Sequence, residues 1–216
     1  MPITLTKEFT QKYEIKYLPK EKYSNFVLNM DYTTEFYYDV VPEVQNKDLW
    51  QVSFIRKKLE KPISHTSEEY DFPDNLYQEY HQNAYAWGVF DKTKKSDSEV
   101  EKPIAVIETD AEVWSNRLRV TEMWVHKDYR RQGLATVLMN VVKEHARLAR
   151  NRAIILETQS CNVAAIDFYR SCGFSLIGFD SCCYKNNDIS RKEVRFEMGY
   201  FLQKKDVNIE DLKIVP

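Results

Sequence analysis

The sequence predicts a mixed α/β (α+β) fold. Three observations carry that expectation: an alternating stretch from Leu118 to Val125 that feeds a basic, glycine-containing turn, a strongly periodic helix straight after the turn, and an apolar run at Ala153 to Leu156. Side chains of an extended stretch change face at every residue, which puts Leu118, Val120, Glu122 and Trp124 on one side and Arg119, Thr121, Met123 and Val125 on the other. The helix brings Leu134, Val137, Leu138, Val141, His145 and Leu148 together at helical spacing, so one face must pack on a sheet. Ala153 to Leu156 reads as a buried strand beside Leu118 to Val125.

The other elements follow in chain order. Residues 1–31 show no clean period. Tyr32 to Val41 alternates, with Thr34, Phe36, Tyr38 and Val40 on one face, and Trp50 to Lys57 is a second strand on which Val52 and Phe54 share a face. Lys57 to Asp74, interrupted by Pro62 and Pro73, reads as a connection, and Leu76 to Gln82 as a short helix. Ala84 to Phe90 and Ile104 to Thr109 form an antiparallel hairpin around the charged loop Asp91 to Pro103. Asn162 suits a helix N-cap and Gly173 the C′ position of the same helix. Phe174 to Phe179 and Val194 to Leu202 are the last strands, and the second could pair across a homodimer. The organisation expected is a single domain over 1–216: a core at 84–202, an N-terminal part at 1–83 that shapes specificity, and a tail at 203–216.

Bulk properties narrow the function. At 216 residues the chain can bury a real core, and its net charge of −2 supplies no basic field for nucleic acid. The slight acidic balance suits a cationic partner. There is no charged-then-apolar leader at Met1 and no apolar run of membrane-spanning length, so a soluble, cytoplasmic protein with no membrane partner is expected. Cys161, Cys172, Cys182 and Cys183 form no Cys-x-x-Cys pair; reduced thiols acting as small buried fillers are expected, with no metal site.

The turn Tyr129-Arg130-Arg131-Gln132-Gly133-Leu134-Ala135 carries the functional signal. A helix start offers backbone N–H groups without intrahelical partners and the positive end of the macrodipole, so it can receive a phosphate. Gly133 permits close approach, Ala135 is nearly as small, and Arg130 and Arg131 add charge. Taken alone, the pattern also fits an ordinary strand-to-helix turn with surface arginines.

The same residues resemble the pyrophosphate loop of the GNAT acyl-CoA N-acyltransferase superfamily, Arg/Gln-x-x-Gly-x-Gly/Ala, matched at Arg130, Gly133 and Ala135. Leu156-Glu157-Thr158-Gln159, Asn162, Ala165, Phe168-Tyr169 and Cys172-Gly173-Phe174 then follow in the order of a second signature. The resemblance covers roughly residues 84–202, and within the superfamily the pattern looks most like the streptothricin acetyltransferase branch. It implies a GNAT fold, with a mixed sheet, splayed central strands and flanking helices, and acetyl-CoA as co-substrate without a metal.

By that resemblance, backbone around Met123, Trp124 and Val125 holds pantetheine. Arg130, Arg131, Gln132, Gly133, Leu134, Ala135 and Thr136 hold the pyrophosphate, and Asn162, Ala165, Phe168 and Tyr169 line the arm. Tyr169 protonates the departing thiolate. Without the resemblance, Phe168-Tyr169 reads as a core aromatic pair and Asn162 only as a cap. Because an ammonium has no lone pair, the reaction gains from a base; Glu122 is the first candidate, the alternative being a strand carboxylate paired with a neighbouring Arg. Glu157 is a weaker candidate, as a group that satisfies backbone or Asn162. The activity implied is direct N-acetylation of a small cationic amine such as a streptothricin-like antibiotic. Polyamines, other metabolites, protein amines and a non-catalytic acyl-CoA sensor are the alternatives.

Overall fold

The computed structural model describes residues 5–66, 74–94 and 100–202. The expected tail at 203–216, Pro73 and the tip of the charged loop at 95–99 lie outside the described residues. In chain order the elements are α1 (Lys7–Lys12), β1 (Tyr13–Tyr17), α2 (Lys20–Tyr23), β2 (Tyr32–Gln45), β3 (Trp50–His65), β4 (Ala84–Asp91), β5 (Ala105–Glu112) and β6 (Arg117–Val125). They continue with α3 (Leu134–Leu148), β7 (Ala153–Gln159), α4 (Val163–Ser171), β8 (Ser175–Asp180), α5 (Asp188–Arg191) and β9 (Arg195–Phe201). Mixed α/β architecture is borne out, and the chain forms two compact units.

The first unit takes in Met1–Met30 and Tyr70–Ile155. Its strands run in the order β1-β4-β5-β6-β7. All pairings are antiparallel except β6 with β7, where Arg117–Arg119 run parallel to Ala153–Ile155. Alternation on β4 divides the two faces. Ala86 and Phe90 join Val106, Trp124, Leu18 and Leu76 in one core cluster, whereas Tyr85 and Trp87 face His145 of α3, at ring separations of 5.6 and 5.0 Å. α3 covers this second face, packing on β4, β5 and β6. Its buried stripe is Leu134, Leu138, Met139, Val142 and Ala146. That stripe is turned from the expected one, leaving Val137, Val141, His145 and Leu148 on its flank.

Two expectations fail here. Leu76 to Gln82 is turn rather than helix: Tyr77 has φ +60, its N–H is spent on the Glu108 carboxylate at 2.7 Å, and its hydroxyl bonds to the Leu18 carbonyl. Tertiary bonds have overridden local helix propensity. The alternation on β6 also breaks, because Glu108 pairs with Glu122 but Thr109 with Val120, leaving Thr121 as an extra residue. This β-bulge turns Thr121 toward the same face as Glu122 and separates Glu122 from Leu118 and Val120.

The second unit takes in Asp31–Glu69 and Leu156–Tyr200. β2 and β3 form a long antiparallel hairpin with register shifts between Thr34 and Phe36 and between Pro42 and Val44. β3 continues to His65, so the expected connection from Lys57 begins later than predicted; Pro62 sits in the stretch where the register slips, with Thr34 opposite Ile63 and Phe36 opposite Lys58. Phe54 packs edge-on against Phe179 and Phe196, with centroids 5.1 and 5.2 Å apart, and α4 packs on β2. In this unit β9 lies between β7 and β8. Both edges of β9 are therefore occupied, and it is not available to pair across a dimer as expected.

Candidate active site

Several side chains of the basic turn are spent on holding the loop itself. His126 Nδ1 accepts from the Asp128 N–H at 3.3 Å and opens a single 3-10 turn at Lys127–Tyr129. The buried Tyr129 hydroxyl donates to Asp91 Oδ2 at 2.8 Å. Desolvation works against the charge on Asp91, but bonds from Thr93 and Tyr129 outweigh it and hold this carboxyl below its usual range. Gln132 receives the Tyr13 hydroxyl at 2.6 Å and donates to the Asp128 carbonyl at 3.2 Å, so its side chain anchors the turn. Arg130 donates from Nε to the Val125 carbonyl at 3.2 Å.

The backbone faces forward. Arg131 has φ +65 and Gly133 φ +81, and Gly133 is the N-cap of α3 with no side-chain capping bond. A β-carbon at Gly133 would meet nothing within 4 Å, so the space in front of the helix start is open. The first amides of α3, at Leu134, Ala135 and Thr136, are thus presented by an uncapped helix end with the positive dipole behind them. Leu134 itself is buried, so only its backbone can serve a ligand, while Thr136, Arg130 and Arg131 are exposed.

On β6, Met123, Trp124 and Val125 precede this turn. Trp124 is 8% exposed, belongs to the core cluster and donates from Nε1 to the Asn29 carbonyl at 2.8 Å. Glu122 is half-buried and lies opposite Glu108 in the ladder.

The second unit holds the other candidates on α4. Asn162 Oδ1 accepts from the Ala165 N–H at 3.2 Å, so Asn162 is the N-cap. At the other end Gly173 has φ +88 and donates to the Arg170 carbonyl at 2.9 Å, while Phe174 donates to the Tyr169 carbonyl at 3.0 Å. These two bonds form a Schellman motif with its apolar contact, the Tyr169 and Phe174 rings lying 6.1 Å apart. Phe168 tilts against Tyr169 at 5.4 Å, and Tyr169 is 8% exposed. Glu157 is exposed and pairs with Arg195 at 2.5 Å. The partner expected from sequence is a backbone group or Asn162; a cation on β9 offers the stronger one.

Two groupings escaped the sequence reading. Glu108 is wholly buried, holding the Tyr77 N–H and the Thr121 hydroxyl; Thr109 on one side of it and the apolar run on the other gave no sign of a carboxylate with partners. Cys161 Sγ lies 3.7 Å from His65 Nε2, with Tyr32 stacked on that imidazole at 4.8 Å and Glu193 3.9 Å from it. No sequence spacing links positions 65 and 161. Burial pushes the Cys161 thiol up to about 11. The four thiols differ in environment: Cys161 is buried but Cys182 is exposed, which corrects the expectation that all are buried fillers. Among the described residues, no group of three or more His, Cys, Asp or Glu could hold a metal ion, and no helix is long and apolar enough to cross a membrane.

Comparison with known proteins gives the family. Streptothricin acetyltransferase A of Bacillus subtilis (strain 168) is 32% identical over 73 residues, covering 34% of this chain and 42% of the relative. Streptothricin acetyltransferase of Escherichia coli is 35% identical over 72 residues, covering 33% and 41%. This chain thus spans about two fifths of the length of the curated relatives it matches. The crystal structure of nourseothricin acetyltransferase shares the fold at TM-score 0.68 and 20% identity, covering 89% of this chain and 99% of that one. A candidate streptothricin acetyltransferase of Bacillus anthracis str. Ames, solved in complex with acetyl coenzyme A, does so at TM-score 0.64 and 21% identity, covering 88% and 98%. The profile of the Acetyltransferase (GNAT) family matches residues 50–174, more than half of the sequence, and the chain belongs to that family.

Proposed function

We propose that the protein transfers the acetyl group of acetyl-CoA to a primary amine of a small cationic molecule, with a streptothricin-like antibiotic as the leading acceptor and the cytoplasm, where acetyl-CoA is made available, as its place of work. The observation that carries this reading is the start of α3, where open space before Gly133, uncapped amides at Leu134–Thr136 and two exposed arginines meet the needs of a pyrophosphate. The local similarity to two streptothricin acetyltransferases supports the acceptor class.

In the proposed reaction the neutral amine nitrogen attacks the thioester carbonyl carbon, a C–N bond forms and the C–S bond breaks. Glu122, directly or through water, takes the proton that the amine nitrogen sheds. The Tyr169 hydroxyl gives its proton to the departing thiolate, so the products are an amide and free CoA thiol. In this reading Asn162, Ala165 and Phe168 of the second unit bind acetyl-CoA, as does the backbone of Met123, Trp124 and Val125 in the first. Substrate recognition gains from the acidic side chains, which attract a polycation.

The test is release of CoA thiol from acetyl-CoA by purified protein with and without streptothricin. Release that depends on streptothricin and a product heavier by one acetyl group support the reading. Release only with spermidine or a peptide amine keeps the transferase and replaces the acceptor. Acetyl-CoA binding without release to any amine overturns the catalytic reading and favours a sensor.

A further inference from the structure

Glu108 is 0% exposed in the middle of β5, where the neighbouring Val106 belongs to an apolar cluster. An apolar residue would fill such a position with less desolvation cost, so a carboxylate held there calls for a role. Its two oxygens are used separately: Oε2 accepts the Tyr77 N–H at 2.7 Å and Oε1 accepts the Thr121 hydroxyl at 2.8 Å. Tyr77 presents that N–H from φ +60, a conformation that costs a non-glycine residue stability. Thr121 is the residue that the β-bulge adds to β6, and the next residue, Glu122, stands opposite Glu108 in the ladder. Directly opposed side chains on neighbouring strands point to one face.

We propose that Glu108 is a positioning residue for the acceptor-side base: it clamps the bulge at Thr121, and through its own charge across the ladder it keeps the Glu122 carboxylate ready to take a proton. The inference rests on the reading of Glu122 as that base. Like charges on facing carboxylates oppose loss of the proton from either, which makes the more exposed one a better proton acceptor near neutral pH. Burial pushes the Glu108 carboxyl up, and the bonds from Tyr77 and Thr121 act against that, as does the charge of His81, while Asp110 adds to it. His81 and Asp110 are themselves paired at 3.3 Å. A bulge that re-aims one strand residue is a common companion of active sites.

The experiment measures kcat/KM for streptothricin against pH in the unaltered protein and in Glu122→Gln, Glu108→Gln and Thr121→Val. Glutamine at 108 keeps the shape and removes the charge, whereas valine at 121 removes the clamp and keeps the charge. Glu122→Gln is expected to lose the acid limb and about a hundredfold in kcat. Glu108→Gln is expected to move the acid limb about one pH unit lower with the acetyl-CoA KM unchanged, a shift that a purely structural role would not produce. Thr121→Val is expected to lower kcat about tenfold without moving the limb. If Glu122→Gln loses the limb but Glu108→Gln keeps it in place, or Thr121→Val keeps full kcat, the inference falls and the base reading stands. If Glu122→Gln keeps both rate and limb, the base reading falls and takes the inference with it. Carboxyl 13C NMR titration of the unaltered protein needs neither turnover nor a folded Glu108 variant. Two coupled transitions for Glu108 and Glu122 support the inference, and independent single transitions overturn it.

Discussion

Phe174 donates its backbone N–H to the Tyr169 carbonyl at 3.0 Å while the two rings meet 6.1 Å apart. The residue proposed to protonate the thiolate is therefore held by the C-terminal cap of its own helix, and Gly173 is what permits that cap. Alanine at 173 finds ordinary contact distances to the Tyr200 ring, 3.4 Å at the nearest, so its cost is the left-handed backbone, about 1–2 kcal/mol. Thermal unfolding of Gly173→Ala should show that loss, with kcat reduced and the acetyl-CoA KM little changed. Tyr169→Phe keeps the ring packing and should lose about a hundredfold in kcat; a normally folded Tyr169→Phe protein with full turnover removes the acid assignment.

Gly133 separates binding from folding. Nothing beyond its two chain neighbours lies within 4 Å of its missing β-carbon, so the β-carbon of Gly133→Val enters open space in front of α3. The expected result is a rise of tenfold or more in the acetyl-CoA dissociation constant, beside a stability loss of about 2 kcal/mol from φ +81, where a β-branched residue fits worst. Isothermal titration with acetyl-CoA checks the first and a melting curve the second.

Cys161 stands near an imidazole, but its thiol, pushed up to about 11 by burial, holds almost no thiolate at neutral pH. Cys161→Ala should keep turnover within about twofold, and mass spectrometry during turnover should find no acetylated enzyme. Thiol labelling of the native protein should reach the exposed Cys182 and spare Cys161 until the protein unfolds.

His145 packs against Tyr85 and Trp87, and burial lowers the pH at which it takes up a proton. The unfolded chain then binds that proton more readily than the folded one, so the His145 contribution to stability is present above the usual histidine range and is lost as pH falls below it. Melting temperature measured from pH 7 down to pH 5 should fall less steeply in His145→Phe than in the unaltered protein.

The core of the fold was legible because its signals are local. Strand Leu118–Val125, the helix starting at Leu134, the Asn162 cap and the Gly173 C′ position each show within a few residues, and each is present. What escaped depends on distant partners. The turn at Leu76–Tyr77 is set by Glu108 and Leu18, the bulge at Thr121 by the strand opposite, and the run of β3 past Pro62 by pairing with β2. The basic turn was legible from its residues, but the division of labour within it was not: Gln132 anchors by its side chain while Gly133 leaves the start of α3 without a side-chain cap.

In the proposed reading, an uncapped helix start also ties the stability of the protein to its supply of acetyl-CoA. A ligand that completes the amides at Leu134–Thr136 binds only the folded chain and stabilises it in proportion to the logarithm of its concentration, about 2.7 kcal/mol at a hundred times the dissociation constant. Proteolysis and hydrogen exchange at the head of α3 should slow when acetyl-CoA is abundant and quicken when it is scarce. On that reading the share of unfolded chain rises as acetyl-CoA falls, so the folded population follows the ligand's concentration.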